Sequence, residues 1–277
     1  MLRNILKNCA SQILGRPLFV QRYSQTTNNT RSFTNAILEN PYTGPALFGM
    51  MMAGACCFAH EENKKLEIWE KVVKNSKNLT GIRNRDCVVY FEATADHNGA
   101  LICTRPQTIF ADLSNQTGVT AVYRKVKWAG EITDTLNTLN KQNNRIHSII
   151  IAAHGTPSQM LLSEPSSTDD LLTPESTITS ESRSFQKTVK NLHHKPCIIL
   201  ISCSTGNDES GPSLARQLSK HIPESPVIAP TRNAYLGDLS FKVANASKSQ
   251  VEISPTVIFR DWKGENITAT FKNNSKV

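Results

Sequence analysis

A histidine and a cysteine each follow a largely apolar run near the middle of the chain, and together they have the side chains of a catalytic pair. The first run, 146–153, leads into His154, and the second, 197–201, leads through one serine to Cys203. A free thiol has a pKa near ~8.5 and attacks as the thiolate. An imidazole can take up the thiol proton and later return it to a leaving amine. These residue types therefore indicate nucleophilic chemistry at a carbonyl carbon.

The two runs must be placed side by side for this chemistry. Neither shows the polar alternation of a half-exposed strand, so we predict two parallel strands that are covered on both faces. Sites in open α/β sheets lie at the carboxyl ends of the strands, which would put His154 and Cys203 at one edge. Backbone N–H groups in the turns after each strand could bind a developing oxyanion. Gly155 suits that place, because it lets a substrate carbonyl approach the backbone.

The order strand-His-Gly and then strand-Ser-Cys resembles the caspase-like fold of cysteine peptidases, which includes caspases, gingipains, clostripain, separase and the self-cleaving protease of RTX toxins. The stretch 153–162 also resembles the His-Gly-Ser-Pro-Gly stretch of caspase-like domains in large bacterial adhesins. The resemblance covers roughly residues 86–245. It implies a His154–Cys203 dyad and an oxyanion hole made by the N–H groups of Gly155 and Cys203.

The predicted function is peptide-bond hydrolysis by a cysteine endopeptidase, with a protein or peptide as substrate. Asp96 and Asp208 fall on loops at the same predicted edge and could accept a basic side chain of the substrate. The alternative is a non-catalytic binding or scaffolding module on the same fold, because a cysteine after an apolar run is often a small buried residue. A serine hydrolase at Ser202 or Ser204 is weaker, since neither lies in G-x-S-x-G.

The remaining pattern predicts an α/β fold with a parallel-rich sheet flanked by helices and with β segments at the C-terminus. Strands are expected at 86–93 and 119–126 and a helix at 129–139. The Ser/Thr-rich stretch 164–184 is expected to be a surface loop. Apolar and β-branched residues predict three further β segments towards the C-terminus, at 239–243, 251–259 and 267–271.

We divide the chain into three parts. Residues 1–35 contain no acid and have the basic, amphipathic composition of a mitochondrial presequence, with a cytosolic protein or a bacterial protein delivered into a host cell as alternatives. Residues 36–85 are an apolar and helical extension, and 86–277 form the caspase-like domain. Within the extension, 44–59 is almost wholly apolar but shorter than the about 20 residues of a membrane span. Association of this stretch with a membrane surface remains an option.

Charge and composition exclude several classes of function. Five of the net eight positive charges precede the first acid, Glu39, and the +3 that remains is too diffuse for nucleic acid binding. The seven cysteines are irregularly spaced without C-x-x-C, which favours a reducing compartment. His193 and His194 lack companions at ligand spacing, so no metal is expected. Without G-x-G-x-x-G or a Walker loop, we expect no cofactor.

Overall fold

The computed structural model describes residues 63–96, 106–114, 119–163, 173–247 and 250–277. The presequence-like segment 1–35 and the apolar stretch 44–59 lie outside these ranges. Asn63–Val277 is one compact unit, so this unit begins ahead of the domain boundary that we predicted at residue 86. None of the helices in the described ranges is both long enough and apolar enough to cross a membrane.

Helices and strands alternate through most of the described ranges. Their order is α1 (63–77), β1 (Asp86–Ala93), α2 (Pro106–Ser114), β2 (Val119–Val126), α3 (Ala129–Lys141), β3 (Arg145–Ala152), β4 (His154–Gly155), β5 (Gln159–Leu161), β6 (Thr177–Thr179), α4 (Arg183–Lys190), β7 (Cys197–Ile201), α5 (Leu214–His221), β8 (Val227–Pro230), β9 (Tyr235–Ser247), β10 (Gln250–Arg260), β11 (Thr268–Lys272) and β12 (Ser275–Lys276).

The main sheet has seven strands in the order β12-β11-β8-β7-β3-β1-β2. Strands β8, β7, β3, β1 and β2 run parallel, and β11 joins β8 in the antiparallel sense. Every residue of β7 is buried, as is every residue of β3 after Arg145. The continuous apolar runs therefore form central parallel strands, as predicted, because only strands covered on both faces bury every side chain. The α/β fold with a parallel-rich sheet and C-terminal strands is confirmed.

The helices cover the sheet with apolar faces. Helix α3 buries Ile132, Leu136 and Leu139, which recur at helical spacing, and it packs beside α4. Each such side chain contributes roughly 1.5–3 kcal/mol to stability through burial. Helix α5 begins at Ser213, whose hydroxyl accepts a hydrogen bond from the Arg216 N–H at 3.3 Å. It contacts β8 and β11 and so fixes the end of the sheet beyond β7.

Helix α1 belongs to this fold and covers its β2 edge. The Trp69 ring lies 4.8 Å from the Tyr123 ring and 6.3 Å from the Phe110 ring, measured between centroids. The Ser76 hydroxyl accepts a hydrogen bond from the backbone N–H of Tyr123 at 2.8 Å. Since an unpaired edge strand is open to pairing with other chains, this contact also protects the sheet.

A small antiparallel sheet, β4-β5-β6, corrects the prediction of a loop over 164–184. Strand β6 lies inside that stretch and pairs with β5, so that Ile178 stands opposite Met160 and both are fully buried. The stretch was read as a loop because of its Ser and Thr content. Thr-Ile-Thr forms a strand because all three residues are β-branched and favour extended structure, and because the apolar Ile178 alternates with two threonines. Residues 164–172 of the predicted loop lie outside the described ranges.

Candidate functional site

The pairing of β3 with β7 brings His154 and Cys203 to matching positions on neighbouring strands. Ala152 is the register partner of Ile201, and the Ala153 N–H donates to the Ile201 carbonyl at 3.1 Å. Each chain then runs two residues beyond the last register pair to reach the histidine and the cysteine. Both residues therefore lie at the carboxyl edge of the main sheet, where we predicted them.

The site lies next to the point where the strand order reverses. The chain passes from β1 to β2 on one side and then to β3 on the other side of β1. At such a point the connections leave in opposite directions and a crevice opens at the carboxyl ends of the strands. His154 follows β3 and Asp96 follows β1, so the two residues border this crevice.

Asp96 contacts the imidazole of His154. Its Oδ1 lies 3.3 Å from Nε2 of the histidine, and the two side chains are 21% and 17% exposed. With its hydrogen on Nε2 the ring donates to the carboxylate, and Nδ1 then carries the lone pair that accepts a proton. We had predicted Asp96 as a substrate-pocket residue and had named no third catalytic group. Its position after β1, at the same edge of the sheet as His154, is the sequence feature from which this contact could have been predicted.

The small sheet holds these two residues in place. His154 pairs with Leu161 across β4 and β5. The next residue, Leu162, accepts hydrogen bonds at its carbonyl from the N–H groups of Thr94 and Ala95 at 3.0 and 3.3 Å. One strand and its extension thereby anchor both the histidine and the segment that leads to Asp96. Backbone hydrogen bonds of this kind fix the orientation of the side chains that they carry.

Cys203 differs from the other cysteines of the described ranges in its exposure. Its side chain is partly exposed and its Sγ donates to the carbonyl of Ala234 at 3.9 Å. Burial raises the pKa of Cys197 to about 12. Burial, with the nearby Asp86 carboxylate, raises the pKa of Cys87 to about 12 as well. Those two thiols are therefore inert near neutral pH, whereas Cys203 is accessible.

Backbone hydrogen bonds join the turn after β7 to the end of β8 and to the segment that follows it. Ser204 has a left-handed backbone with φ of 59°, and its N–H donates to the Arg232 carbonyl at 3.1 Å. The Gly206 N–H donates to the carbonyl of Pro230 at 2.8 Å. A non-glycine residue in this region of φ is uncommon and carries strain that the surrounding contacts must hold. Cys203 therefore stands at the start of a tightly fixed turn.

Gly155 is required by the close approach of the two turns. A Cβ atom at this position would overlap the Ser202 hydroxyl and would lie 3.0 Å from the carbonyl of Gln159. The Ser202 Oγ is buried, and no hydrogen-bond partner for it occurs among the described residues. Only glycine fits here, and the backbones that bear His154 and Cys203 can therefore approach one another.

Asp208, the second predicted pocket acid, has a different set of contacts. Its Oδ2 accepts hydrogen bonds from Nε and Nη2 of Arg216 at 3.0 and 2.7 Å, and its Oδ1 accepts one from the Ser213 N–H. Desolvation acts to raise its pKa, but the bonds from Arg216 and Ser213 hold that pKa below the ordinary value. Asp208 thus fixes the start of α5, on the wall of a cavity of about 530 Å³.

A second surface cavity, of about 410 Å³, adjoins the Cys203 turn. Its lining includes Ser204 directly after the cysteine, Asn233 directly before Ala234, and Trp262 from the turn between β10 and β11. Sequence reasoning gave Trp262 no role, because the β10–β11 turn is remote from Cys203 along the chain. The remaining lining residues are Asn207, Arg232, Asp261 and Lys263.

A separate polar cluster lies at the opposite, amino-terminal edge of the sheet. Asp86 accepts a hydrogen bond from Nη2 of Arg145 at 2.7 Å and has its other oxygen 2.6 Å from Nε2 of His147. The register shift between β1 and β3 makes His147 a bulge residue, and its ring lies 4.4 Å from that of His194. Within the described ranges, no three His, Cys, Asp or Glu residues form a metal-binding group.

Part of the chain matches a family of known sequences. Residues 130–251, less than half of the chain, match the sequence profile of a family described as a domain of unknown function (DUF8616). The matched segment contains His154, Gly155 and Cys203, whereas Asp96 and Trp262 lie outside it. No curated protein matched the chain.

Proposed function

We propose that this protein is a cysteine peptidase in which Cys203 is the nucleophile and His154 is the general acid and base. One observation carries the proposal. His154 and Cys203 occupy matching positions after neighbouring parallel strands, and the Asp96 carboxylate contacts Nε2 of the imidazole. A nucleophile, a base and a group that orients the base are the parts that covalent catalysis of acyl transfer needs.

The reaction would follow from these positions. Nδ1 of His154 takes the thiol proton, and the thiolate of Cys203 attacks the peptide carbonyl carbon to give a tetrahedral oxyanion. The N–H groups of Gly155 and Cys203 would bind that oxygen. The imidazolium then gives its proton to the leaving amine as the C–N bond breaks and a thioester remains. A water molecule, deprotonated by His154, hydrolyses the thioester and the thiol regains its proton.

In this scheme Asp96 orients the imidazole and stabilises it when it is protonated. Asp208 is bound by Arg216, which leaves it little capacity to balance a basic substrate residue. In this scheme each acid contacts another side chain of the protein, and recognition of a basic residue at the cleaved bond falls to neither.

The resemblance to caspase-like peptidases supports the proposal from a second direction. In this chain the His-Gly motif follows β3 and the Ser-Cys motif follows its neighbour β7. A central parallel sheet with an antiparallel strand near one edge is also what that resemblance implies. The resemblance supports the roles proposed for His154 and Cys203, which rest on the geometry of the site.

The test is the reaction of the purified full-length protein with iodoacetamide between about pH 5 and pH 9, with each modified cysteine quantified by peptide mass. We expect Cys203 to react faster at neutral pH than Cys87 and Cys197, because a partly exposed thiol beside a base is the more reactive one. The buried Cys87 and Cys197 are internal controls that should stay unmodified. In His154→Ala the rate of Cys203 labelling at neutral pH should fall, because the base that takes up the thiol proton is lost.

Two results would separate the functions. Fast, His154-dependent labelling followed by Cys203-dependent cleavage of peptides would support the peptidase. Slow labelling that is the same in His154→Ala would contradict it, and the non-catalytic binding module on the same fold would then be the better account.

A further inference from the structure

The cavity beside Cys203 is lined by Trp262, and the ring of Tyr235 lies next to that indole. Trp262 is 82% exposed and Tyr235 is 37% exposed, and their ring centroids lie 5.9 Å apart. Tyr235 follows Ala234, whose carbonyl accepts the hydrogen bond from Cys203 Sγ. The Ser204 hydroxyl, on the other side of the cysteine, donates to Oδ1 of Asn233 at 3.4 Å. Residues that flank the thiol on both sides therefore reach the same cavity as Trp262.

The turn that bears Trp262 is rigidly built. Oδ1 of Asp261 accepts hydrogen bonds from the N–H groups of Lys263 and Glu265 at 2.9 and 3.0 Å. Gly264 takes a left-handed φ of 84°, and its carbonyl accepts a bond from Arg260 at 2.7 Å. These contacts hold the turn in one conformation with its indole exposed to solvent. Binding to such a ring costs little conformational entropy, which is why Trp and Tyr dominate the energetics of many binding surfaces.

The charges around the cavity balance one another. Arg232 lies 3.6 Å from Oδ2 of Asp261 and 3.3 Å from Oε2 of Glu265. Lys263 is the other cation of the lining. Two basic and two acidic groups give no strong preference for a charged partner, whereas exposed aromatic rings favour an apolar one.

We propose that Trp262 and Tyr235 form an apolar subsite beside Cys203 that binds a bulky, uncharged side chain of the peptide substrate within a few residues of the cleaved bond. This inference rests on the proposed peptidase function. The bound side chain would cover the indole, which is otherwise open to water, and would thereby align the peptide carbonyl with the thiol.

The first step of the test is a cleavage profile. The full-length protein is incubated with a mixture of peptides from a trypsin-digested proteome, and the cuts that are absent with Cys203→Ala are mapped by mass spectrometry. We expect Phe, Tyr, Trp, Leu and Met to be enriched near the cut. One efficiently cleaved peptide is then synthesised in two forms, with its bulky residue kept or replaced by alanine.

The second step compares kcat/KM for these two peptides. Trp262→Ala should lower the preference for the bulky peptide about tenfold, which corresponds to about 1.4 kcal/mol, because the burial of the indole and its ring contacts are lost. Trp262→Phe should keep most of the preference. Trp128→Ala is the matched control, because Trp128 is also exposed but lies after β2, three strands away from β7.

The outcomes distinguish this inference from the proposed function. If Cys203-dependent cleavage occurs and Trp262→Ala keeps the full preference, the aromatic subsite is wrong and the peptidase stands. If the wild-type protein makes no Cys203-dependent cut and Cys203 labels slowly with iodoacetamide, both fail. Since Trp262 is largely exposed, its replacement should not unfold the protein, and the far-ultraviolet circular dichroism of each variant checks this.

Discussion

At the scale of single residues, the proposed chemistry depends on the orientation of one imidazole. His154 is held on one side by the β4–β5 pairing and on the other by the Asp96 carboxylate. The carboxylate determines which ring nitrogen carries the hydrogen, and so which one faces the nucleophile as a base. In the proposed mechanism Asp96 is therefore a positioning residue that acts through His154.

Replacement of Asp96 by asparagine tests this role. An amide N–H would donate to Nε2 and leave the hydrogen on Nδ1, the wrong tautomer for accepting the thiol proton. We expect the rate of iodoacetamide labelling of Cys203 at neutral pH to fall at least about tenfold.

Asp208→Asn is the matched control for Asp96→Asn, because Asp208 is bound to Arg216 on the wall of a separate cavity. The control should leave the pH dependence of labelling unchanged. Equal labelling profiles for wild type and Asp96→Asn would show that the carboxylate does not orient His154.

At the scale of elements, the carboxyl and amino edges of the main sheet carry two different groups of polar residues. The carboxyl edge carries the candidate site, and the amino edge of β1 and β3 carries the Asp86–His147 pair with Arg145 and His194. Burial lowers the pKa of His194, and the nearby His147 and Arg145 lower it further, while Asp86 opposes them. The fold therefore favours the neutral form of His194.

The lowered pKa of His194 should make the free energy of unfolding depend on pH. Because the folded pKa of His194 is below the unfolded value of about 6.5, the unfolded chain binds more protons as the pH falls through that value. His194 should therefore reduce the free energy of unfolding below about pH 6.5 and have little effect above about pH 7.5.

Urea denaturation of the wild type and His194→Asn at several pH values between about 5 and 8 measures this. The stability difference between the two proteins should shift in favour of the variant as the pH falls. His193→Asn is the control, because the ring that lies against His147 belongs to His194 and not to its neighbour His193. A difference that is constant with pH would contradict the prediction.

At the scale of the whole molecule, the segment ahead of β1 completes the fold. Val72 and Ile82 are buried in the common core. The buried Asn144 side chain donates to the Ile82 carbonyl at 2.7 Å and accepts from the Arg85 N–H at 3.0 Å. Together with Trp69 against Tyr123, these contacts join residues 63–85 to the sheet.

We therefore expect a chain that starts at residue 86 to be less stable than one that starts at residue 63. The shorter chain loses the burial of Val72 and Ile82 and leaves Asn144 without two of its hydrogen-bond partners, at a cost of about 3 kcal/mol or more. Urea denaturation of both chains measures the difference. Equal unfolding midpoints would contradict this expectation and would support the predicted domain boundary at residue 86.

The sequence by itself determined the central strands and the placement of the candidate dyad. Short, largely apolar runs rich in Ile suit interior parallel strands, and the carboxyl ends of parallel strands share one edge, so the positions of His154 and Cys203 followed from local pattern alone. The helix at α3 followed in the same way from the spacing of Ile132, Leu136 and Leu139.

Only the tertiary structure decided which residues accompany the dyad. The Asp96–His154 contact, the overlap that requires Gly155, and the cavity between Trp262 and the Cys203 turn each join segments that are far apart in the chain. Strand β6 and helix α1 likewise owe their places to partners elsewhere in the sequence. Periodicity reports which face of an element is buried, but it carries no information about the distant side chains that meet there, because those contacts depend on strand order and register.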